Sequence, residues 1–146
     1  MRVVFDSNVL ARAHQRAHGP ARRALLHVIA GPDILVLSRP LLEELERVLA
    51  YPRLVKRSGL TSLDVGEFVD FLAQISTVVT PASVPQGLLR DESDVPVLGT
   101  AFAGRADVIC TRDADFFEDR VQDFAATRGI RILNDVELLS SLTIRP

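Results

Sequence analysis

Five short runs rich in β-branched residues, Val3 to Phe5, Ile34 to Leu37, Thr77 to Thr80, Val108 to Thr111 and Ile130 to Leu133, are separated by stretches with helical spacing. Those stretches cover Val9 to about His18, Pro20 to Ala30, Arg39 to Tyr51, Thr61 to Ile75, Asp94 to Gly104, Phe116 to Thr127, and Asp135 to Leu142. Parallel neighbours in a sheet need a long crossover between them, and a helix supplies it, so strand and helix in alternation predict an α/β fold around a mainly parallel sheet. The 146 residues fit one domain, 1–146, without repeat or linker.

The ends of two runs carry acids. "VVFDSNVLA" (3–11) delivers Asp6, and "ADVICTRDADFF" (106–117) delivers Asp113 and Asp115, each where a buried strand emerges. In open parallel sheets ligands bind at the carboxyl ends of the strands, so both motifs place carboxylates at the functional edge. Capping the next helix is the plainer role for either Asp alone. It explains two such motifs, with further acids elsewhere, less well.

"SRPLLEELERVL" reads as a helix capped by Ser38, with Pro40 in its first turn. Leu41, Leu42, Leu45, Val48 and Leu49 form its apolar arc; Glu43 falls opposite, and Glu44 and Glu46 fall on the two borders, from which either could reach a cleft. "LLRDESDVPVLGTAFAG" sets Asp91 and Asp94 three residues apart before a helix whose apolar positions are Val95, Leu98 and Phe102. Ser93 could cap that helix by itself, which leaves the carboxylates in surplus.

If Asp6, Glu44, Asp94 and Asp113 converge, they require a counter-charge. Two carboxylates ~5 Å apart repel by about 3 kcal/mol at an effective dielectric of ~20, and four would exceed what a marginally stable domain can spare. An all-oxygen set without His or Cys suits Mg²⁺ or Mn²⁺, and such an ion beside a phosphodiester can activate water and stabilise the leaving oxygen. Metal-dependent phosphodiester hydrolysis is the predicted chemistry.

Composition excludes several alternatives. A net charge of −2 argues against binding nucleic acid through overall positive charge, although every basic residue except Lys56 is an arginine and "ARAHQRAHGPARR" (11–23) is locally dense in them. That stretch could hold a substrate backbone or simply be solvated, with His14 and His18 outside. Few aromatics are available for base stacking; Phe116 or Phe117, near the acids, are candidates. Cys110, the lone cysteine, lies in the apolar run "VICT" and should pack as a small hydrophobe. No apolar stretch approaches the ~20 residues of a membrane span, and "MRVVFDSNV" breaks to acid too early for a signal peptide, so a cytoplasmic location is expected.

Taken in order, "VVFDSNVL", "LSRPLLEELERVL", "RDESDVPVL", "ADVICTRDADF" and the closing "GIRILNDVELL" resemble the blocks of the PIN-domain nucleases, more narrowly the bacterial PIN toxins of toxin-antitoxin pairs. The resemblance implies a three-layer α/β/α fold and an Mg²⁺- or Mn²⁺-dependent endoribonuclease acting on single-stranded RNA. It implies a metal-binding quartet of Asp6, Glu44, Asp94 and Asp113, with Asp115 as an accessory acid. Asn8 and Thr111 would steady the carboxylates or the substrate phosphate, Ser38 would neighbour the cleft, and Asp91 would serve a turn or cap. Glu44, not Glu46, matches the family position before the helix leucine. A small antitoxin protein is the implied partner, and a homodimer is compatible with the family. Two departures stand out: "ND" at 134–135, where many relatives carry Thr-Pro, and Gly99 inside the Asp94 helix.

Rival readings fit less well. A phosphoacceptor receiver domain needs an acidic pair at the first strand and a lysine near the last, where this chain has Asp6 alone and Arg131. Haloacid-dehalogenase-type phosphatases expect Asp-x-Asp, and the chain has "DSN". The serious rival is a catalytically silent PIN-fold module that binds RNA or protein; such a scaffold would be free to lose acids, and all four matched positions are acidic.

Overall fold

The computed structural model describes residues 1–144. The elements follow the order β1 (Arg2–Phe5), α1 (Ser7–Ala11), α2 (Pro20–Ala30), β2 (Ile34–Ser38), α3 (Arg39–Leu49), α4 (Pro52–Ser58), α5 (Ser62–Ile75), β3 (Thr77–Val79), α6 (Val95–Ala103), β4 (Val108–Cys110), α7 (Asp119–Ala126), β5 (Arg131–Leu133) and α8 (Asp135–Thr143). The five strands form one parallel sheet in the order β3-β2-β1-β4-β5, flanked by helices as a three-layer α/β/α sandwich. Val3, Val4, Phe5, Val108, Ile109 and Cys110 have no exposed surface, as expected of central strands covered on both faces.

The strand order places the crevice. From β1 the chain steps outward through β2 to β3, then returns to the other side of β1 for β4 and β5. β1 and β4 therefore part to opposite sides, and their carboxyl ends form the topological switch point at which open α/β sheets bind ligands. Phe5 pairs with Cys110, and the Asp6 amide donates to the Cys110 carbonyl at 2.9 Å, so the residues following each strand emerge side by side.

Several expected boundaries move for local reasons. The first helix ends at Ala11 instead of near His18, closing with bonds from the Arg12 and Ala13 amides to Val9 and Leu10, and turns carry the chain to Pro20. The third ends at Leu49, because Pro52 has no N–H to continue the ladder; instead it opens a separate helix, α4, from the first-turn position where proline is tolerated. The stretch from Phe116 splits into a 3-10 turn, Ala114–Phe117, and α7. Ser38 holds the N-cap position of α3 but makes no side-chain cap bond there.

Both sequence departures acquire reasons. Asn134 caps α8 reciprocally with Glu137: the Glu137 amide donates to Asn134 Oδ1 at 2.8 Å, and the Asn134 amide donates to Glu137 Oε1 at 2.9 Å. Gly99 lies where the 80–85 segment crosses α6, its carbonyl accepting from the Ala82 amide at 2.9 Å; a Cβ at Gly99 would stand 2.5 Å from the Ala82 carbonyl oxygen. Gly99→Ala should therefore destabilise the fold by about 1–3 kcal/mol in chemical denaturation, the clash outweighing the ~1 kcal/mol that alanine gains in helix propensity. A variant as stable as the parent would show that the two backbones do not meet.

Candidate metal centre

Asp6 ends β1 and is buried, with 3 % of its surface exposed. The Thr111 hydroxyl, from the end of β4, donates to Asp6 Oδ2 at 2.8 Å and accepts the Asp113 amide at 3.0 Å, so one side chain fixes both acids. Burial is the main cause that raises the Asp6 carboxyl above its ordinary range; the bond from Thr111 opposes it, and the charge of Asp113 adds to it. The Asn8 amide also favours the charged form, though not in cap geometry, and its side chain is exposed toward the neighbouring groove.

Asp94, Asp113 and Asp115 each place a carboxylate oxygen within 4.8 Å of the others. The Asp115 amide donates to Asp113 Oδ1 at 3.0 Å, so Asp113 caps its turn. Asp94 is different. It occupies the N-cap position of α6 without a side-chain cap bond, it is 8 % exposed, and its Oδ2 is buried with no hydrogen-bond partner among the described residues. Burial, together with a carboxyl–carboxylate hydrogen bond to Asp113 and the charges of Asp113, Asp6 and Asp91, pushes its carboxyl up to about 8. Without a cation Asp94 keeps its proton near neutral pH.

Glu44 and Glu46 are told apart here. Glu44 is half-buried on the side of α3 facing Asp6, whereas Glu43 and Glu46 are exposed. Burial raises the Glu44 carboxyl, and the charge of Asp6 raises it further, while Ser7 and Arg47 oppose the shift. The single Ser7 proton is shared ground between the two acids: its 3.4 Å approach to Asp6 Oδ1 is long, and turning to Glu44 is the alternative. Asp91, not Ser93, is the cap of the turn before α6; the Ser93 amide donates to Asp91 Oδ1 at 2.9 Å, and that bond holds the Asp91 carboxyl low.

Ser38 is buried beside the helix that follows Asp94. The Thr100 hydroxyl gives its proton to the Pro96 carbonyl at 2.6 Å, so in the 2.7 Å hydrogen bond between Ser38 and Thr100 it is Ser38 that donates. With no exposed surface Ser38 cannot touch a substrate; it ties the end of β2 to the helix that follows Asp94. Phe116 is fully buried and offers no stacking face, while Phe117 is half-buried. Cys110 packs in the core, where burial pushes its thiol far up and leaves it unreactive.

The donor set fits a hard divalent cation. Asp94 Oδ2 is a buried oxygen without a partner, a condition that costs about 1–3 kcal/mol when no ligand relieves it. It sits within a cluster of carboxylates that carries no His or Cys, the chemistry preferred by Mg²⁺ and Mn²⁺.

A groove of about 820 Å³ runs from Asp113 between α1, α2, α3 and α4. Arg12 and Arg16 line it, as the basic stretch at 11–23 suggested, and Arg53, Arg57 and Arg112 join them from distant parts of the chain. His14 and His18 line it too, but burial, with the charges of Arg22 and Arg16, lowers His14 below its usual range and keeps it neutral near pH 7. Sequence reading missed Arg53, Arg57 and Arg112; the i, i+4 spacing of Arg53 and Arg57 was the available signal, and only the fold aims it at the acids.

Residues 2–115 match the family model of the PIN domain, a span that contains all five acids. The chain belongs to the PIN-domain family. PIN domains are typically nucleases and generally use divalent metals. Among solved structures, a chain of VapBC2 from Rickettsia felis bound to a DNA fragment from their promoter is similar in fold, with a TM-score of 0.60 over 92 % of this PIN chain and 98 % of that chain at 14 % identity. No curated protein sequence matches the chain. Among the described residues, no helix of this PIN domain is long and apolar enough to cross a membrane.

Proposed function

We propose that this chain is an Mg²⁺- or Mn²⁺-dependent endoribonuclease that hydrolyses single-stranded RNA, and that it acts in the cytoplasm as the toxin of a toxin-antitoxin pair. The observation that carries the reading is the unpartnered, buried Asp94 oxygen among three mutually close carboxylates, at the switch point of a PIN fold and at the mouth of an arginine-lined groove.

Asp6, Asp94 and Asp113, with Asp115 and Glu44 beside them, would hold the cation. When bound, it supplies an activated water and charge stabilisation at the leaving oxygen. The chain itself does the rest. Thr111 keeps Asp6 and Asp113 in register, Asp91 and Ser38 fix the two ends of the Asp94 segment, and the groove arginines draw in the phosphate backbone of a strand. The assay is internal cleavage of a labelled single-stranded RNA. Cleavage is expected in Mn²⁺ or Mg²⁺ and none in chelator; cleavage that persists in chelator would remove the metal-dependent reading.

Restraint of such an activity is assigned to a small partner protein. A lysine or arginine of that partner, inserted among the acids, would replace the metal with charge-assisted hydrogen bonds, and apolar packing against α1, α2 and α3 would seat it. The VapBC2 neighbour is itself a two-component assembly, which supports a partner here. Expression of this chain should arrest growth, the product of the adjacent small reading frame should relieve the arrest, and the Asp6→Asn chain should be harmless. Arrest that persists undiminished with Asp6→Asn would sink the nuclease-toxin account; a harmless parent would remove the toxin role and leave the nuclease.

A further inference from the structure

Arg112 stands between Thr111 and Asp113, at the point where the groove meets the acids. Its Nε donates to Asp135 Oδ1 at 2.7 Å. The two partners are placed unequally: the Asp135 side chain is 2 % exposed, whereas that of Arg112 is 41 % exposed. Among the described residues the terminal guanidinium nitrogens of Arg112 make no hydrogen bond, so one edge of the fork is held and the others remain open.

A tie between β4 and α8 would account for a pair enclosed on both sides. It does not account for this one. Asp135 is not needed as a cap, because Asn134 and Glu137 already close the first turn of α8. A carboxylate buried at this depth is stable only if its charge is matched, and Arg112 matches it while keeping most of its donors in the groove. The other groove arginines lack such an anchor: among the described residues the side chains of Arg12, Arg16, Arg53 and Arg57 make no ion pair or hydrogen bond. Among the described residues Arg112 is thus the one groove arginine anchored by a carboxylate, and it is adjacent in sequence to Asp113. A planar guanidinium with open edges suits the tetrahedral oxygens of phosphate, and gripping it by Nε lowers the entropy lost on binding.

We propose that Arg112, oriented by Asp135, grips a backbone phosphate of the RNA strand next to the one being cut, and so sets the register of the strand across the acids. This rests on the reading of the chain as an RNA nuclease. Asp135 is a positioning residue, and Arg112 a substrate-binding one.

The test measures the affinity of a short fluorescein-labelled oligoribonucleotide for the Asp6→Asn protein, which should not cut it, across a salt series at constant Mg²⁺. Adding Arg112→Ala should weaken binding about tenfold, as expected for removal of a charged hydrogen-bonding group. It should also lower the slope of log affinity against log salt by about 0.7, the signature of one fewer phosphate neutralised on a single strand. Arg105→Gln, on the segment before β4 at the opposite edge of the sheet, controls for overall charge and should leave the slope unchanged. If Arg112→Ala fails to fold, Arg112→Met with Asp135→Asn removes both charges together and leaves neither buried alone; the same drop in slope is expected. With Asp6 present, Arg112→Ala should raise KM more than it lowers kcat. Folded Arg112 variants that bind with unaltered affinity and slope, in a protein whose parent cuts RNA, would make Arg112 only a structural tie. A parent that cuts no RNA in Mn²⁺ would instead remove the nuclease reading, and this proposal with it.

Discussion

Asp6→Asn should abolish RNA cleavage while leaving the protein folded. The asparagine is isosteric, its oxygen can still accept from Thr111, and it carries no charge into a site whose burial already disfavours one. What it loses is charge toward the cation. Weakening the shell around a metal ligand costs about 10–100-fold, so removing a ligand's charge should cost more than about a hundredfold in kcat. Asp94→Asn, Asp113→Asn and Glu44→Gln should each lose most turnover for the same reason. Thr111→Val supplies a graded comparison: it keeps every carboxylate but removes the hydroxyl that joins Asp6 to Asp113, and it should fall within the about 10–100-fold range. Rates in Mn²⁺, with circular dichroism to verify folding, decide the matter. Equal cleavage by parent and Asp6→Asn would point to a contaminant and return the chain to the reading of a catalytically silent binding module.

Asp94 should make the metal-free protein less stable as pH rises. Its carboxyl lies at about 8 in the folded chain against an ordinary value of 3.8, so the folded state binds the proton more tightly than the unfolded state does. The resulting stability is complete below about pH 4 and is lost as pH climbs toward 8, where the carboxylates are left to repel one another. In chelator the melting temperature should fall over that window, Asp94→Asn should flatten the fall, and near pH 8 the variant should melt above the parent. Mn²⁺ or Mg²⁺ should reverse the order. An ion present at a hundred times its dissociation constant adds about 2.7 kcal/mol, and each kcal/mol is worth roughly 2–4 °C in a chain of this size, so the metal should raise melting by about 5–11 °C. The rise should be larger at pH 8 than at pH 5, because at low pH the ion must displace a proton. Asp113 behaves differently on truncation: Asp113→Ala loses the bond to the Asp115 amide and should cost about 1 kcal/mol, which Asp113→Asn largely retains. Melting that is indifferent to metal at pH 8, together with an Asp94→Ala protein well below the parent in chelator, would make these acids structural.

The alternation of β-branched runs and helical spacing determined the parallel α/β fold, because those periods depend only on which faces a segment must bury. All five strands are found, within a residue or so of where the sequence placed them. It also determined that acids lie at the carboxyl ends of β1 and β4, since the apolar run and the residue that breaks it are neighbours in the chain. What a linear pattern cannot carry is the distance between elements. Helical spacing left Glu44 and Glu46 on equal borders of α3; the packing of α3 beside α1 turned Glu44 toward Asp6 and left Glu46 in solvent. Ser38 looked like a cap and became a donor to Thr100, because β2 and α6 come together only after the sheet forms. Phe116 looked available for stacking and is sealed in the core. The charge of the groove follows the same rule: Arg12, Arg53 and Arg112 are scattered in a chain of net charge −2, and only the docking of α1, α4 and the end of β4 gathers them beside Asp113. Local periodicity is encoded residue by residue and can be read directly; convergence depends on long-range packing that no single segment specifies.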